Sequence, residues 1–374
     1  MLSVMNQLIE THFYPDNTNN NFTSHAENNT IANIIDNNIF VSSPFEISVY
    51  SIEPFVKNYV IKDKYFEIIE SYDDIIFVVN ARILKIFCVY VSNTEPVHCL
   101  NFNSKILSIK VLSPRLAVML EGEVYLYDIK NLSLLNRISL HDHISLHDHI
   151  LSPDCIHFLT KIPLMSTDSS GICALSKNHM LAYYINRGVS GITVSNIVLY
   201  NTISLTQCAI IDYVHCHSIS CMQFSDDGKW LATASSRGTV IKVLSLENTN
   251  LFYRFRRGLA QSAKIYQIVF NSDASLIAVS SNNGTIHIFH FDKTITTEVR
   301  SFGIIRLLPE YNISIRFSID SSRLYTFSRG RFSQWKIDKT KMGLGNNYTL
   351  LYSPNTCKLV RQYNLYDESL FSET

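Results

Sequence analysis

The feature that most limits what this chain can fold into is an internal repeat in its second half. Ile219–Leu246 reads ISCMQFSDDGKWLATASSRGTVIKVLSL, and Ile265–Phe291 reads IYQIVFNSDASLIAVSSNNGTIHIFHF. Phe224, Ala232, Ser235, Gly238 and Thr239 recur 46 positions later as Phe270, Ala278, Ser281, Gly284 and Thr285. A weaker third copy supplies Ile315-Arg316-Phe317, Ser328, Gly330 and Trp335-Lys336-Ile337. Each unit alternates short β-branched runs with a polar turn and a Gly turn. That matches a propeller blade, about 40–45 residues in four strands. One blade cannot cover both of its apolar faces, so blades stack radially and close into a ring.

Counting back through the chain at this spacing gives about seven blades. The expected fold is therefore all-β: a seven-bladed β-propeller, WD40-like, spanning 39–374. A partly disordered segment, 1–38, is expected before it, because Asp16–Asn38 is rich in Asn, Thr and Ser and poor in apolar residues. The recurring small residues Ala-Thr-Ala-Ser at 232–235 suit a crowded strand near the propeller axis. No stretch sustains a 3.6-residue period, so helix should be scarce.

Composition narrows the function. The 32 basic and 32 acidic residues cancel, which argues against nucleic acid as a partner, since phosphate-backbone binding needs a broad basic surface. The eight Cys form no CxxC pair; with no signal-peptide pattern at the N-terminus, they read as reduced thiols in the cytosol. Ile75–Val91 is apolar but carries Asn80, Arg82 and Lys85, so it fits two strands better than a membrane span. There is no GxSxG, HExxH, P-loop or dinucleotide fingerprint, and an enzyme is not expected. The tandem ISLHDH at 138–149 aligns His141, His143, His147 and His149. It reads as a duplicated surface loop rather than a metal site, and His215-Cys216-His217 with Cys221 reads as an alternating strand. No metal or cofactor is expected.

One window departs from this neutral balance. From Ser235 to Lys264 lie Arg237, Lys242, Arg254, Arg256, Arg257 and Lys264 against one acid, Glu247. At its centre is Phe255-Arg256-Arg257-Gly258. Adjacent side chains on an extended strand point to opposite faces. The two Arg should therefore serve two separate sites, one toward the blade before and one toward the blade after. Spacing alone leaves two roles open for each: an anion site, or a salt bridge or a cap on blade carbonyls.

The runs Leu231–Thr239, Phe255-Arg256-Arg257-Gly258, Ile265-Tyr266-Gln267-Ile268 and Gly284–Phe289 resemble the PROPPIN family, WIPI-like seven-bladed propellers of autophagy and endolysosomal traffic. The likeness is specific over roughly 213–290. Weaker echoes occur at Ala81–Ile86, Arg115–Val118, Val124–Ile129 and Leu308–Tyr311. The resemblance implies a cytoplasmic protein, peripheral on autophagosomal, endosomal or vacuolar membranes. It would read head groups of phosphatidylinositol 3-phosphate and the 3,5-bisphosphate. It also implies two head-group pockets and autophagy-related protein partners on blades 2–3, near Arg82. The first pocket would use Arg256 with His215, Thr233, Ser235, Arg237 and Thr239, where His215 could gain charge beside a phosphate. The second would use Arg257 with Ser280, Ser281 and Thr285. This chain departs from the family at Asn283, Leu259 and Ala260, where basic or polar residues are usual, and in the short connection 292–300, which offers a bilayer little beyond Ile295. The Arg256 side is thus expected to dominate. The alternative is a protein-interaction propeller without lipid binding.

Overall fold

The computed structural model describes residues 32–43, 46–63, 66–90, 95–140, 171–189, 192–248, 252–258, 261–295, 297–309, 313–341 and 356–365. The tandem ISLHDH histidines His141, His143, His147 and His149 lie outside these residues. Among the described residues the structure is almost entirely strand, with a 3-10 turn at Lys339–Lys341.

Seven sheets follow one another along the chain. Blade 1 holds β1–β4 (Ala32–Ile35, Asn38–Ser42, Ile47–Ser51, Val56–Ile61) and blade 2 holds β5–β8 (Ile68–Tyr72, Ile75–Asn80, Ile83–Cys88, His98–Asn101). Blade 3 holds β9–β12 (Ser108–Leu112, Arg115–Leu120, Glu123–Asp128, Leu134–Ser139) and blade 4 holds β13–β16 (Cys173–Leu175, Met180–Val189, Ile192–Asn201, Thr206–His215). Blade 5 holds β17–β20 (Ile219–Phe224, Trp230–Ser235, Val240–Ser245, Phe252–Arg256), and blade 6 holds β21–β23 (Ile265–Phe270, Leu276–Ser281, Thr285–His290) with β25 (Gly303–Arg306). Blade 7 holds β26–β29 (Ser314–Phe317, Arg323–Ser328, Arg331–Ile337, Cys357–Asn364). Between β23 and β25 the chain makes a two-residue strand, β24 (Val299–Arg300), which pairs in parallel with β20 and adds a fifth strand to blade 5.

The first strands of successive blades touch in order, and β26 touches β1 to complete the ring. Sequence pattern explains the packing. Alternate residues of each strand face opposite neighbours, and seven apolar clusters fill the seven interfaces between blades. Among the described residues, the seam between blades 7 and 1 exchanges no strand. It is held by an apolar cluster that joins Ile34 and Ile39 to Tyr325 and Phe332, by Ile34 N donating to Ser314 Oγ at 3.0 Å, and by the Arg316–Asp36 ion pair.

Two readings need correction. The sheet begins at Ala32, inside the stretch assigned by composition to the N-terminal segment; Ile34 and Ile35 are buried there. The small residues at 232–235 lie on β18, the second strand of their blade rather than the innermost. Their size serves the blade interface: Ala232 and Ala234 pack among Ile265, Ile268 and Val279.

The Gly turns behave as the repeat suggests. Gly238 and Gly284 have φ of 59° and 77°, and a Cβ at either would meet the carbonyl oxygen of Ala263 or Leu307 at 1.9 or 2.3 Å. A left-handed residue with backbone this close leaves room for hydrogen alone.

Candidate functional site

The two faces of blade 5 are chemically different. Leu231, Leu244 and Phe252 pack toward blade 4 with Ala174 and Leu199, whereas Ile241, Val243 and Phe255 pack toward blade 6. Strand register assigns the polar residues to the same two faces. Thr233 pairs with Lys242, and Lys242 with Arg254. These three, with Ser235 and Arg256 two residues along their strands, share the face toward blade 4. Val240 pairs with Arg256 at its end. Blade 4 supplies His215 from the last residue of β16. Its Nε2 shares a 3.0 Å hydrogen bond with Thr233 Oγ1, and Lys242 Nζ donates to Val214 O.

This arrangement sets the charge state from which His215 starts. The ring is 6% exposed. Burial first, then the neighbouring Lys242 charge, lowers its pKa to about 3. It is a neutral hydrogen-bonding group here, not a cation. Arg237 lies exposed on the β18–β19 hairpin, where its carbonyl accepts from Ala263 N.

Arg256 and Arg257 diverge as the alternation requires, and each makes a contact that spacing had left open. Arg256 forms a two-pronged ion pair with Glu298: Nη2 donates to Oε2 at 2.7 Å and Nε donates to Oε1. Glu298 comes from the connection that leads into β24. The same connection is fastened to blade 5 by Tyr253 Oη donating to Lys293 O at 2.8 Å and by Lys293 over the Trp230 ring. Arg257 turns the other way and caps carbonyls. Its Nε donates to Gly238 O and its Nη2 to Gln261 O, each at 2.7 Å. No carboxylate offsets it in these contacts, and burial works against its charge.

Blade 6 presents a matching face to Arg257. Val279 pairs with His287, His287 with Ile304, and Thr285 with Arg306. Val279 and Phe289 pack toward blade 5, so His287, Ser281 and Thr285 share that face. His287 Nδ1 shares a 3.0 Å hydrogen bond with Ser301 Oγ. Burial, then Arg257 and Arg306, lowers the His287 pKa to about 4. Ser281 Oγ and Thr285 Oγ1 lie 3.0 Å apart, and both donate to Asn283 Oδ1.

The two faces correspond position for position: Lys242 with His287, Arg254 with Ile304, Arg256 with Arg306. They do not correspond as the repeat alone suggests. The blade 5 hairpin is one residue longer between Ser235 and β19 than its blade 6 counterpart between Ser281 and β23, so Val240, not Thr239, matches Thr285. Thr239 sits beside Arg257, whose backbone N–H donates to its carbonyl; the structure does not bring it to Arg256. Ser280 faces blade 7 and donates to Ile313 O at 3.0 Å, so it is not brought to Arg257.

The sequence alone did not bring Lys242, His287, Arg306 or Glu298 to the Arg pair, and it left Arg254 as either a partner of Arg256 or surface. Arg254 had a usable signal, because it lies two residues before Arg256 on one strand; Lys242 had none, since its face depends on the register across the hairpin from Thr233. Arg306 and Glu298 had none, since the outer strand of blade 6 does not repeat that of blade 5.

Fold and site together define a class first: a ring propeller that sets one Arg of an adjacent pair on each of two neighbouring blade faces, among hydroxyl and basic side chains. The PROPPIN family pattern matches residues 48–301, and the chain belongs to that family. It is 34% identical over 194 residues to human WD repeat domain phosphoinositide-interacting protein 1, covering 52% of this chain and 37% of that protein. It is 32% identical over 204 residues to Autophagy-related protein 18 of Dictyostelium discoideum, covering 54% and 46%. The chain thus spans less than half the length of these two curated relatives. Among solved structures, that of Kluyveromyces lactis Hsv2p superposes with a TM-score of 0.65 at 16% identity, covering 90% of this chain and 98% of that one. KlAtg21, in its complex with the coiled coil of AgAtg16, superposes with a TM-score of 0.66 at 20% identity, covering 89% and 98%. At these identities the likeness is one of fold.

Proposed function

We propose that this chain is a non-catalytic reader of phosphoinositides, phosphatidylinositol 3-phosphate and the 3,5-bisphosphate. It is recruited from the cytoplasm to autophagosomal, endosomal or vacuolar membranes and acts there as a scaffold. The observation that carries the reading is the divergence of Arg256 and Arg257 onto two blade faces with hydroxyl and basic groups at matching register positions. A planar guanidinium fork suits phosphate oxygens and stays charged when partly desolvated. One head group would meet Arg256, Arg254, Lys242, Thr233, Ser235 and the neutral ring of His215, with Arg237 at the rim. A second would meet Arg257, Arg306, His287, Ser281 and Thr285.

The names of the two matched relatives support this reading, one being called phosphoinositide-interacting and the other autophagy-related. Among the described residues no helix is long and apolar enough to cross a membrane, in keeping with recruitment through the propeller. Autophagy-related protein partners would engage blades 2–3, where Arg82 is exposed on the hairpin between β6 and β7. The coiled coil carried by KlAtg21 supports a scaffold of this kind.

The test is flotation with vesicles containing phosphatidylinositol 3-phosphate. Arg256→Thr/Arg257→Thr should weaken binding about thirtyfold, the combined loss of two charge-assisted phosphate contacts on separate faces. A double variant that floats like its parent sinks the lipid reading. Retained protein partners with no lipid-dependent flotation at low salt would leave a protein-interaction propeller instead.

A further inference from the structure

Blade 4 carries a strained, outward-facing tyrosine beside the blade 4–5 face. Pairing between β15 and β16 runs from Ile197↔Ile211 to Ser195↔His215, so β16 uses more residues than β15 over one step and bulges. At the crest is Tyr213, with φ of 56° and 71% of its surface exposed. A bulky residue in the left-handed region is a costly choice, one that Gly or Asn would fill more cheaply.

The surroundings hold the bulge in place. Asn196, 3% exposed, accepts Tyr213 N–H on Oδ1 at 3.1 Å and donates from Nδ2 to Asp212 Oδ1 at 2.7 Å. Lys242 fastens the next carbonyl, Val214 O. Ser195 Oγ donates to His217 O at 2.9 Å just beyond. The bulge turns two side chains opposite ways. His215 goes inward to Thr233, and Tyr213 goes out to solvent on the same strand end. A ring with an apolar body and a polar tip suits the boundary between acyl chains and head groups. The other side of this face offers a bilayer little: in the connection after β23, Ile295 is 39% exposed and the segment is fastened to blade 5.

We infer that Tyr213 is an interfacial membrane anchor, set by the β16 bulge to enter the lipid surface when a head group occupies the blade 4–5 face. The inference rests on the phosphoinositide reading above, and the experiment separates the two. Tyr213→Gly accepts the left-handed backbone without strain, so its fold should survive. Tyr213→Trp keeps an anchor and reports on its surroundings.

Each is measured against a soluble short-chain phosphatidylinositol 3-phosphate by calorimetry, and against vesicles of phosphatidylcholine with that lipid by flotation. Tyr213→Gly should keep the soluble-lipid affinity and lose about fivefold in vesicle affinity, the scale of one interfacial aromatic. Tyr213→Trp should float like the parent, with fluorescence that shifts to the blue and is quenched by brominated acyl chains. Tyr213→Gly that floats like the parent overturns the anchor, as does a Trp that brominated lipid fails to quench. An equal loss of soluble-lipid affinity would make Tyr213 a head-group contact and overturn it too. If the parent binds neither soluble lipid nor vesicles, the phosphoinositide reading itself falls, and the anchor with it.

Discussion

The blade 4–5 and 5–6 faces share one design and spend their charge differently. Toward blade 4, register lines up Lys242, Arg254 and Arg256, and Glu298 neutralises the last of them. Toward blade 5, blade 6 lines up His287, Ile304 and Arg306, and the Arg257 that joins them is held by neutral carbonyls. Having more basic residues therefore does not make a face the freer anion site. A carboxylate in the guanidinium fork competes with phosphate for the same geometry, whereas a carbonyl cap orients the fork and leaves its charge in place.

Three experiments would break or sharpen this comparison. The largest effect should come from acidification. Both faces bury a neutral His, with pKa values of about 3 for His215 and about 4 for His287, against 6.5 for an unperturbed ring. The unfolded chain binds protons at these sites first, so stability is fully present above pH 6.5 and falls as pH drops below it. At pH 5 the loss should be about 2 kcal/mol for each ring. Denaturant melts of His215→Gln and His287→Gln should each remove that share of the slope. Unchanged slopes would mean that the rings are not held neutral.

Next come the single arginine variants. The local basic and hydroxyl setting favours Arg256, but the Glu298 pair reverses that order. Arg257→Thr should cost about tenfold in vesicle affinity and Arg256→Thr about threefold. The reverse ranking would mean that Glu298 releases Arg256 at little cost. The smallest effect should be a gain: Glu298→Gln should tighten binding about threefold, and the gain should vanish in an Arg256→Thr background. A gain that persists there would place the action of Glu298 elsewhere.

How much of this was legible in the sequence follows from what repeats. Blades 5 and 6 could be read because their first three strands share residues at fixed spacing. Blades 1–4 share no such residues and followed from length and strand count. Thr233, Ser235 and Arg256, grouped by the family resemblance, do lie on one face of blade 5. Thr239 does not join them, because the repeated Gly-Thr pairs hide a one-residue difference in turn length; Ser280 does not join Arg257, because it neighbours Ser281 on β22 and so faces the opposite blade. Glu298 lies 42 residues from Arg256 in sequence and reaches it through a parallel strand that no local pattern announces. The neutral ring of His215 had no sequence signal either, because burial between blades is a tertiary fact.

A propeller blade can lose a residue from an exposed turn and keep its side-chain assignments. Ala234 pairs with Ile241 in blade 5 and Ser280 with Ile286 in blade 6, so the residue that blade 6 lacks comes out of the turn and the facing strands hold their register. Lys242 and His287 therefore stand on equivalent faces, although one lies seven residues after Ser235 and the other six after Ser281. In a lineage of such rings, one codon gained or lost in an exposed hairpin renumbers a pocket residue and leaves the pocket where it was, so pockets are to be compared by strand pairing and not by residue count.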